Sequence, residues 1–74
     1  MKERFHEEYK RVGLNVAYYR KLNGLTQEQL AERLGVDRTT VSKVELAFVG
    51  MSLDLLFEMA EVFGITPDKL LEMR

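Results

Sequence analysis

The side chains best suited to chemistry lie close together between residues 38 and 43, where the sequence reads RTTVSK. Arginine can donate two parallel hydrogen bonds to guanine O6 and N7, threonine offers a hydroxyl and a methyl group, and lysine can donate to guanine or to phosphate. The stretch therefore offers hydrogen-bond donors and acceptors suited to recognition of a polar partner. The candidate binding residues here are Arg38, Thr39, Thr40, Ser42 and Lys43.

The rest of the sequence offers little for catalysis or metal binding. His6 is the only histidine, and there is no cysteine. No Ser-His-acid, metal-ligand or phosphate-loop spacing appears. We expect His6 to lie on the exposed face of a helix. The sequence therefore predicts a protein that is not an enzyme and that binds no metal or cofactor.

Length and charge predict one small domain with an uneven charge distribution. Seventy-four residues allow a single domain, residues 1–74, in which the core must be compact. The net charge is −1, yet residues 1–43 hold nine of the eleven Lys and Arg residues against six acids. Residues 44–68 hold five acids and no Lys or Arg. Only the first part is therefore a plausible docking face for phosphate.

The expected location is the cytoplasm. The longest apolar runs, such as residues 55–57, are far shorter than the ~20 residues that a membrane span needs. The first residues, MKER, contain no apolar signal-peptide segment. The absence of cysteine suits a reducing compartment. We therefore expect a soluble chain without a membrane partner.

The first segment predicts an amphipathic helix from about residue 3 to residue 22, because apolar residues recur at steps of four and three. Gly13 lies inside this helix at a cost of ~1 kcal/mol relative to alanine, which predicts a bend or a later start. Asn23 and Gly24 end the helix, since both tolerate the left-handed conformation. The apolar stripe consists of Phe5, Tyr9, Val12, Val16 and Tyr19.

Two short helices follow. Thr26 and Gln29 have the spacing of a capping box, which starts the second helix, and Gly35 ends it. Asp37 caps a third helix that runs from residue 38 to about residue 45. The second helix is expected to bury Leu30, Ala31 and Leu34, and the third to bury Val41 and Val44. At about 100° per residue, the opposite side of the third helix carries Thr39, Ser42, Lys43 and Leu46, with Arg38 at the edge.

The last part of the chain predicts two further helices. Ser52 has the position of a cap, and Gly64 is the expected end of the fourth helix. Thr66, Pro67 and Asp68 open a fifth, short helix, with proline at its first position. The residues of the fourth helix expected to face inward are Leu53, Leu56, Phe57, Ala60 and Phe63. Five helices, no strand and no repeat result, which is an all-α fold.

The second and third helices, joined by a few residues around Gly35, have the helix-turn-helix arrangement, in which the second of the pair enters the major groove of DNA. The stretch GLTQEQLAERLGVDRTTVSKVE resembles the helix-turn-helix of the lambdoid phage repressor and Cro family, also called the xenobiotic-response-element (XRE) family. The resemblance extends over residues 12–72, and residues 1–11 lengthen the first helix. It implies a five-helix lambda-repressor-like domain and a sequence-specific, repressor-like transcriptional regulator that binds double-stranded DNA.

The resemblance also implies roles for single residues. Gln27 matches a residue that contacts a phosphate and braces the recognition helix, and Thr26 would present its N–H and hydroxyl to the DNA backbone. Arg38, Thr39 and Lys43 match the positions that reach base edges. Ser42 and Thr40 rank second among the DNA-binding candidates, and Thr40 has the alternative of turning toward the second helix.

Arg20 and Glu45 match a largely buried ion pair of the family, which ties the first helix to the recognition helix. Losing one partner of such a pair costs ~3–5 kcal/mol, because the other charge stays buried and unpaired. The alternative is two solvated surface charges, worth under ~1 kcal/mol.

The segment after the third helix departs from the family pattern. Residues 46–52 read LAFVGMS, without the basic residue that usually grips the phosphate backbone. These apolar residues are expected to be buried, either in the core or against a partner surface. A second apolar stripe on the fourth helix increases the apolar surface that must be buried. A twofold homodimer on a palindromic operator would meet it and would place two recognition helices ~34 Å apart. The interface candidates are Phe48, Val49, Met51, Leu55, Met59 and Val62.

One alternative function stays open at this point. A helix-turn-helix domain can lose DNA binding and keep its fold, and the uncharged segment 46–51 would suit that. The alternative is a protein-interaction module, such as an antitoxin-like partner of another protein.

Overall fold

A computed structural model describes residues 3–48 and 50–73 of the chain. Within these ranges every regular element is helical: four α-helices and two short 3-10 helices. The α-helices are α1 (His6–Leu22), α2 (Gln27–Leu34), α3 (Arg38–Glu45) and α4 (Leu53–Phe63). The 3-10 helices are Glu3–Phe5, directly before α1, and Pro67–Leu71, after α4. The prediction of an all-helical fold is confirmed.

The fifth predicted helix is not an α-helix. Residues Pro67–Leu71 form a 3-10 helix flanked by extended residues at Thr66 and Glu72. Five residues leave too few i to i+4 hydrogen bonds for a stable α-helix, and short pieces commonly adopt the tighter form. The described residues therefore form four α-helices rather than five. At the other end, α1 begins at His6, because the three residues before it also form a 3-10 turn.

The predicted starts of α2, α3 and α4 are confirmed at Thr26, Asp37 and Ser52, each of which accepts a hydrogen bond from a first-turn N–H. At α2 the complete capping box forms: Thr26 Oγ1 accepts from the Gln29 N–H at 3.0 Å, and Gln29 Oε1 accepts from the Thr26 N–H at 2.9 Å. Gly35 ends α2 with a φ of 72°, a conformation that glycine adopts without penalty. Local chemistry therefore sets the helix boundaries.

The core lies where α1, α2, α3 and α4 meet, and α1 and α4 also pack on the C-terminal 3-10 helix. Phe5, at the start of the predicted α1 stripe, is 49% exposed because it precedes the α-helix. Asn15, buried on α1, donates from its amide to the carbonyl oxygens of Leu70 and Glu72 at 3.0 and 2.8 Å, which fastens the last turn to α1. The core cluster consists of Val12, Val16, Leu30, Ala31, Val41, Val44, Leu56, Met59, Ala60, Phe63 and Leu70.

The orientation of α4 differs from the prediction. Leu53 and Phe57, expected to face inward, are 65% and 50% exposed. Met59, expected at a dimer interface, is 1% exposed inside the core, and Leu55 and Val62 pack partly buried against that core. Because α4 is apolar on several sides, its sequence pattern suited two rotations about the helix axis, and the core selects the one that buries Met59. Met59 is thereby removed from the interface candidates.

The segment after α3 is divided between core and surface. Ala47 is 2% exposed, Met51 is half-buried against the core, and Phe48 is 65% exposed. Ala47 has a φ of 61°, so a residue other than glycine takes the left-handed position that follows α3. The Phe48 N–H then donates to the Lys43 carbonyl at 2.9 Å, which closes the C-terminus of α3. Val49, an interface candidate, lies outside the described residues.

Gly13 lies where α1 comes closest to α3. A Cβ atom at this position would lie 2.5 Å from the carbonyl oxygen of Glu45 and 2.7 Å from that of Val44. Both distances are far below ordinary van der Waals contact, so only glycine allows this approach. The helix runs through Gly13 without a break, and of the two expectations raised by this glycine, the later start is found, at His6.

In the parts of the chain that the structure describes, no helix has both the length and the hydropathy needed to cross a bilayer.

Candidate nucleic-acid interface

α3 presents opposite chemistry on its two sides. Val41 and Val44, each 3% exposed, face the core. Arg38, Thr39 and Lys43 are exposed, and Ser42 is half-buried. Leu46, just after the helix, is 58% exposed. The predicted inward and outward faces of α3 are therefore confirmed.

Thr40 belongs to the helix cap more than to the outward face. Its N–H donates to Asp37 Oδ1 at 2.9 Å, and its hydroxyl donates to the same oxygen at 2.6 Å. The Thr40 hydroxyl, followed by the Thr40 N–H, lowers the pKa of the Asp37 carboxyl below its ordinary value, and the positive charge of Lys43 acts in the same direction. Thr40 is half-buried, and it turns toward Asp37 rather than toward α2.

Arg20 and Glu45 join α1 to the end of α3. Arg20 Nε donates to Glu45 Oε2 at 2.7 Å, and Nη2 donates to Oε1 at 3.2 Å. The two side chains are only 11% and 7% exposed, which excludes two solvated surface charges. Arg20 Nη1 also donates to the carbonyl oxygen of Leu25 at 2.8 Å. The Arg20 guanidinium therefore connects three segments: α1, to which it belongs, α3, and the turn that precedes α2.

Gln27, in the first turn of α2, joins the same network. Its Nε2 donates to Glu45 Oε1 at 3.0 Å, so the side chain braces α3 through the carboxylate that Arg20 also holds. One amide hydrogen of Gln27 is not used by this bond. The bracing role that the resemblance implied therefore has a specific partner, and the remaining hydrogen can donate to a phosphate oxygen.

An open cleft beside this network is lined by the beginning of α2, the beginning of α3 and Arg20 of α1. Its walls carry two arginines, and the positive end of the α2 dipole lies at its edge. Thr26 cannot offer its N–H there, contrary to expectation, because that N–H already donates to Gln29. Its hydroxyl accepts from Gln29 and keeps its own hydrogen for a further bond. The lining residues are Arg20, Thr26, Gln27, Glu28 and Arg38.

Three contributors to this site were missed by reasoning from the sequence. The close contact at Gly13 and the Leu25 carbonyl depend on which helices meet, which no local pattern records. Asp37 was assigned only as a cap, although it lies exposed beside Arg38. A glycine within a strongly periodic helix was the available signal for the first of these, since it often marks a close approach.

Among the described residues, no group of three or more potential metal ligands lies close enough to hold an ion. The site is instead a convex polar helix next to a cleft, supported from behind by buried charges. A helix that fits into a groove, with phosphate-binding groups at its flank, is how a helix-turn-helix protein engages a duplex.

Comparison with known proteins agrees with this geometry. Residues 16–70 match the helix-turn-helix family HTH_3. Since the match spans more than half of the chain, the protein belongs to this family of XRE-type helix-turn-helix transcriptional regulators.

Relatives with similar sequences are named as regulators. An uncharacterized HTH-type transcriptional regulator of Methanocaldococcus jannaschii is 48% identical over 48 residues, which cover 65% of this chain and 73% of the relative. The control protein C.SmaI of Serratia marcescens is 40% identical over 57 residues, which cover 77% of this chain and 68% of that protein. The chain therefore spans most of both relatives.

Solved structures share the fold. The restriction-modification controller protein C.AhdI from Aeromonas hydrophila superposes with a TM-score of 0.85 at 29% identity, over 92% of this chain and 99% of that one. The hypothetical transcription factor NHTF from Neisseria superposes with a TM-score of 0.83 at 32% identity, over 88% of this chain and 75% of that one.

Proposed function

We propose that this protein regulates transcription by binding a specific double-stranded DNA sequence in the cytoplasm, with α3 in the major groove. The observation that carries the proposal is the outward exposure of Arg38, Thr39 and Lys43 on a helix whose other side is anchored by Val41 and Val44. Membership of the family and similarity to regulators support it. Binding is the whole activity: it represses where the operator overlaps a promoter and activates where the operator lies beside one.

The geometry supports different roles for the two docking helices: α3 contacts the bases, and the beginning of α2 contacts a phosphate. Arg38 pairs with guanine O6 and N7, Thr39 contacts a neighbouring base, and Lys43 donates to guanine or phosphate. Ser42 is a secondary contact. At the beginning of α2, the free amide hydrogen of Gln27 and the Thr26 hydroxyl hold a phosphate and set the position of α3 on the duplex.

The protein acts as a homodimer on a palindromic operator in this proposal. A monomer would leave large apolar side chains exposed on α4 and on the segment before it: Phe48, Leu53 and Phe57 are 65%, 65% and 50% exposed. Met51, Leu55 and Val62, which are partly buried in the monomer, would lie at the edges of that interface. Twofold symmetry then separates the two copies of α3 by ~34 Å, one turn of DNA.

A fluorescence titration with duplex DNA tests the proposal. Because phosphate contacts release counterions, binding should weaken steeply between about 50 and 200 mM salt. Arg38→Ala and Lys43→Ala should each reduce affinity for a selected duplex by ~1–3 kcal/mol without a change in melting temperature. Lys69→Ala is the matched control, since Lys69 lies on the C-terminal 3-10 helix, away from α3, and forms an exposed 3.8 Å ion pair with Glu72.

Two chains should bind one palindromic duplex at saturation. Absence of binding at both salt concentrations would refute the proposal and favour the protein-interaction alternative. Equal losses from Lys69→Ala and Arg38→Ala would mean that α3 is not the docking helix.

A further inference from the structure

Asp37 places a negative charge at the end of α3 that approaches DNA. It directly precedes Arg38 and Thr39, and all three side chains are exposed. DNA phosphates repel a carboxylate, and most hydrogen-bonding atoms on the major-groove edges are acceptors, which repel it as well. Serine would cap the helix equally well without the charge. On docked DNA, the group that favours an aspartate at this position is therefore a hydrogen-bond donor.

The cap bonds occupy only one of the two carboxylate oxygens. Asp37 Oδ1 accepts from both the N–H and the hydroxyl of Thr40, at 2.9 and 2.6 Å. In the described part of the chain, Oδ2 accepts from no other residue, and neither Arg38 nor Lys43 forms an ion pair with Asp37. The two bonds from Thr40 also fix the direction of the carboxylate, so Oδ2 is a preset, charged acceptor at the tip of α3.

We propose that Asp37 reads one base of the operator, by accepting a hydrogen bond at Oδ2 from the exocyclic amino group of cytosine. This inference rests on the proposed DNA-binding function. The only donors on the major-groove edge are cytosine N4 and adenine N6. Adenine N6 lies between two acceptors, its own N7 and O4 of the paired thymine, which both repel a carboxylate. Cytosine N4 has an acceptor on one side only, guanine O6, and that atom is a target for Arg38.

Thr40 acts as the positioning residue for this contact. Its hydroxyl and N–H hold Oδ1 in place, so the direction of Oδ2 depends on Thr40 although Thr40 itself touches no base. The same two bonds favour the charged form of the Asp37 carboxyl and lower its pKa. Selectivity then arises mainly by exclusion: the carboxylate weakens binding wherever guanine O6, thymine O4 or a phosphate faces it.

The experiment begins with selection of fragments from random duplex DNA by the wild-type protein. Affinities are then measured for four duplexes that differ only at the base pair nearest the start of α3. Wild-type protein should prefer cytosine there by about tenfold or more. Asp37→Ser should bind the four duplexes almost equally and hold non-specific duplex more tightly, because a repulsive charge is gone. In Asp37→Asn the cap still uses Oδ1, so the outward group becomes the Nδ2 donor, and the preference should shift from cytosine to a base that presents an acceptor there, guanine or thymine.

Both variants keep a good N-cap, so their melting temperatures should stay close to that of the wild type. Glu61→Gln, which removes an exposed charge from α4, is the control and should leave the base ranking unchanged. An unaltered ranking at every base pair in Asp37→Ser would overturn the role of Asp37 while leaving DNA binding intact. Failure of the wild type to bind any duplex would overturn both this role and the proposed function.

Discussion

Replacing Gly13 by alanine tests how closely α1 and α3 pack. The new Cβ would lie 2.5 and 2.7 Å from the carbonyl oxygens of Glu45 and Val44. Both oxygens belong to the backbone at the end of α3, so no side-chain rotation relieves the clash. The helices must separate by several tenths of an ångström or more before these contacts become ordinary, and α3 must move with its carbonyl groups.

Two opposing effects set the size of the change. Alanine in place of glycine inside a helix gains ~1 kcal/mol through propensity. Overpacking at a rigid contact costs ~1–3 kcal/mol, and separating α1 from α3 also strains the hydrogen bonds between Arg20 and Glu45. We therefore expect a net loss of ~1–2 kcal/mol in the free energy of unfolding. For a domain of this size, that loss lowers the melting temperature by roughly 4–16 °C.

Thermal and urea unfolding followed by circular dichroism measure this loss, and the duplex titration reports the displacement of α3 as weaker binding. Gly24→Ala is a useful comparison: a Cβ at Gly24 would meet open space, so its cost comes from a φ of 70° alone. It should destabilise the fold while changing specific binding much less than Gly13→Ala does. A melting temperature that rises in Gly13→Ala would refute the close packing of α1 against α3.

Two further predictions concern charge. Arg20→Met and Glu45→Leu should each lower the free energy of unfolding by ~3–5 kcal/mol, because each leaves a buried charge unpaired. The double variant should lose much less than the sum of the two single losses. Additive losses in this double-mutant cycle would contradict a buried, coupled pair. Asp37 is stabilised in its charged form, with a pKa below its ordinary value of 3.8, so its contribution is present at neutral pH and is lost as the pH falls through the lowered pKa. The free energy of unfolding of Asp37→Ser, relative to that of the wild type, should therefore increase as the pH is reduced from about 5 to about 2. A difference that stays constant over that range would mean that the cap does not favour the ionised carboxyl.

The parts of the fold that could be predicted were those governed by neighbouring residues. The capping box at Thr26 and the caps at Asp37 and Ser52 follow from hydrogen bonds that span three residues. Val41 and Val44 on one side of α3 follow from helical periodicity. Because these interactions are local, the sequence specifies them without knowledge of the tertiary structure.

The parts that could not be predicted depend on contacts between distant segments. The rotation of α4 was ambiguous, since Leu53 and Phe57 are as apolar as Met59, and only the space left by the other helices decides which are buried. The fit of Gly13 against the α3 carbonyl groups has the same origin. The family resemblance predicted the ion pair between Arg20 and Glu45. The hydrogen bonds that extend it to Leu25 and Gln27 depend on how the helices are arranged in space, which the local sequence does not specify.

The separation of the two sides of α3 has a consequence for how target choice can change. Val41, Val44 and Glu45 attach the helix to the rest of the domain, whereas Arg38, Thr39 and Lys43 are exposed on the opposite side, where substitutions usually change stability by under ~0.5 kcal/mol. If α3 docks on DNA as proposed, a few substitutions at the exposed positions would redirect the protein to a new operator without compensating changes in the core. Substitutions of the buried residues would instead change the orientation of α3 and reduce selectivity at every contacted base pair together.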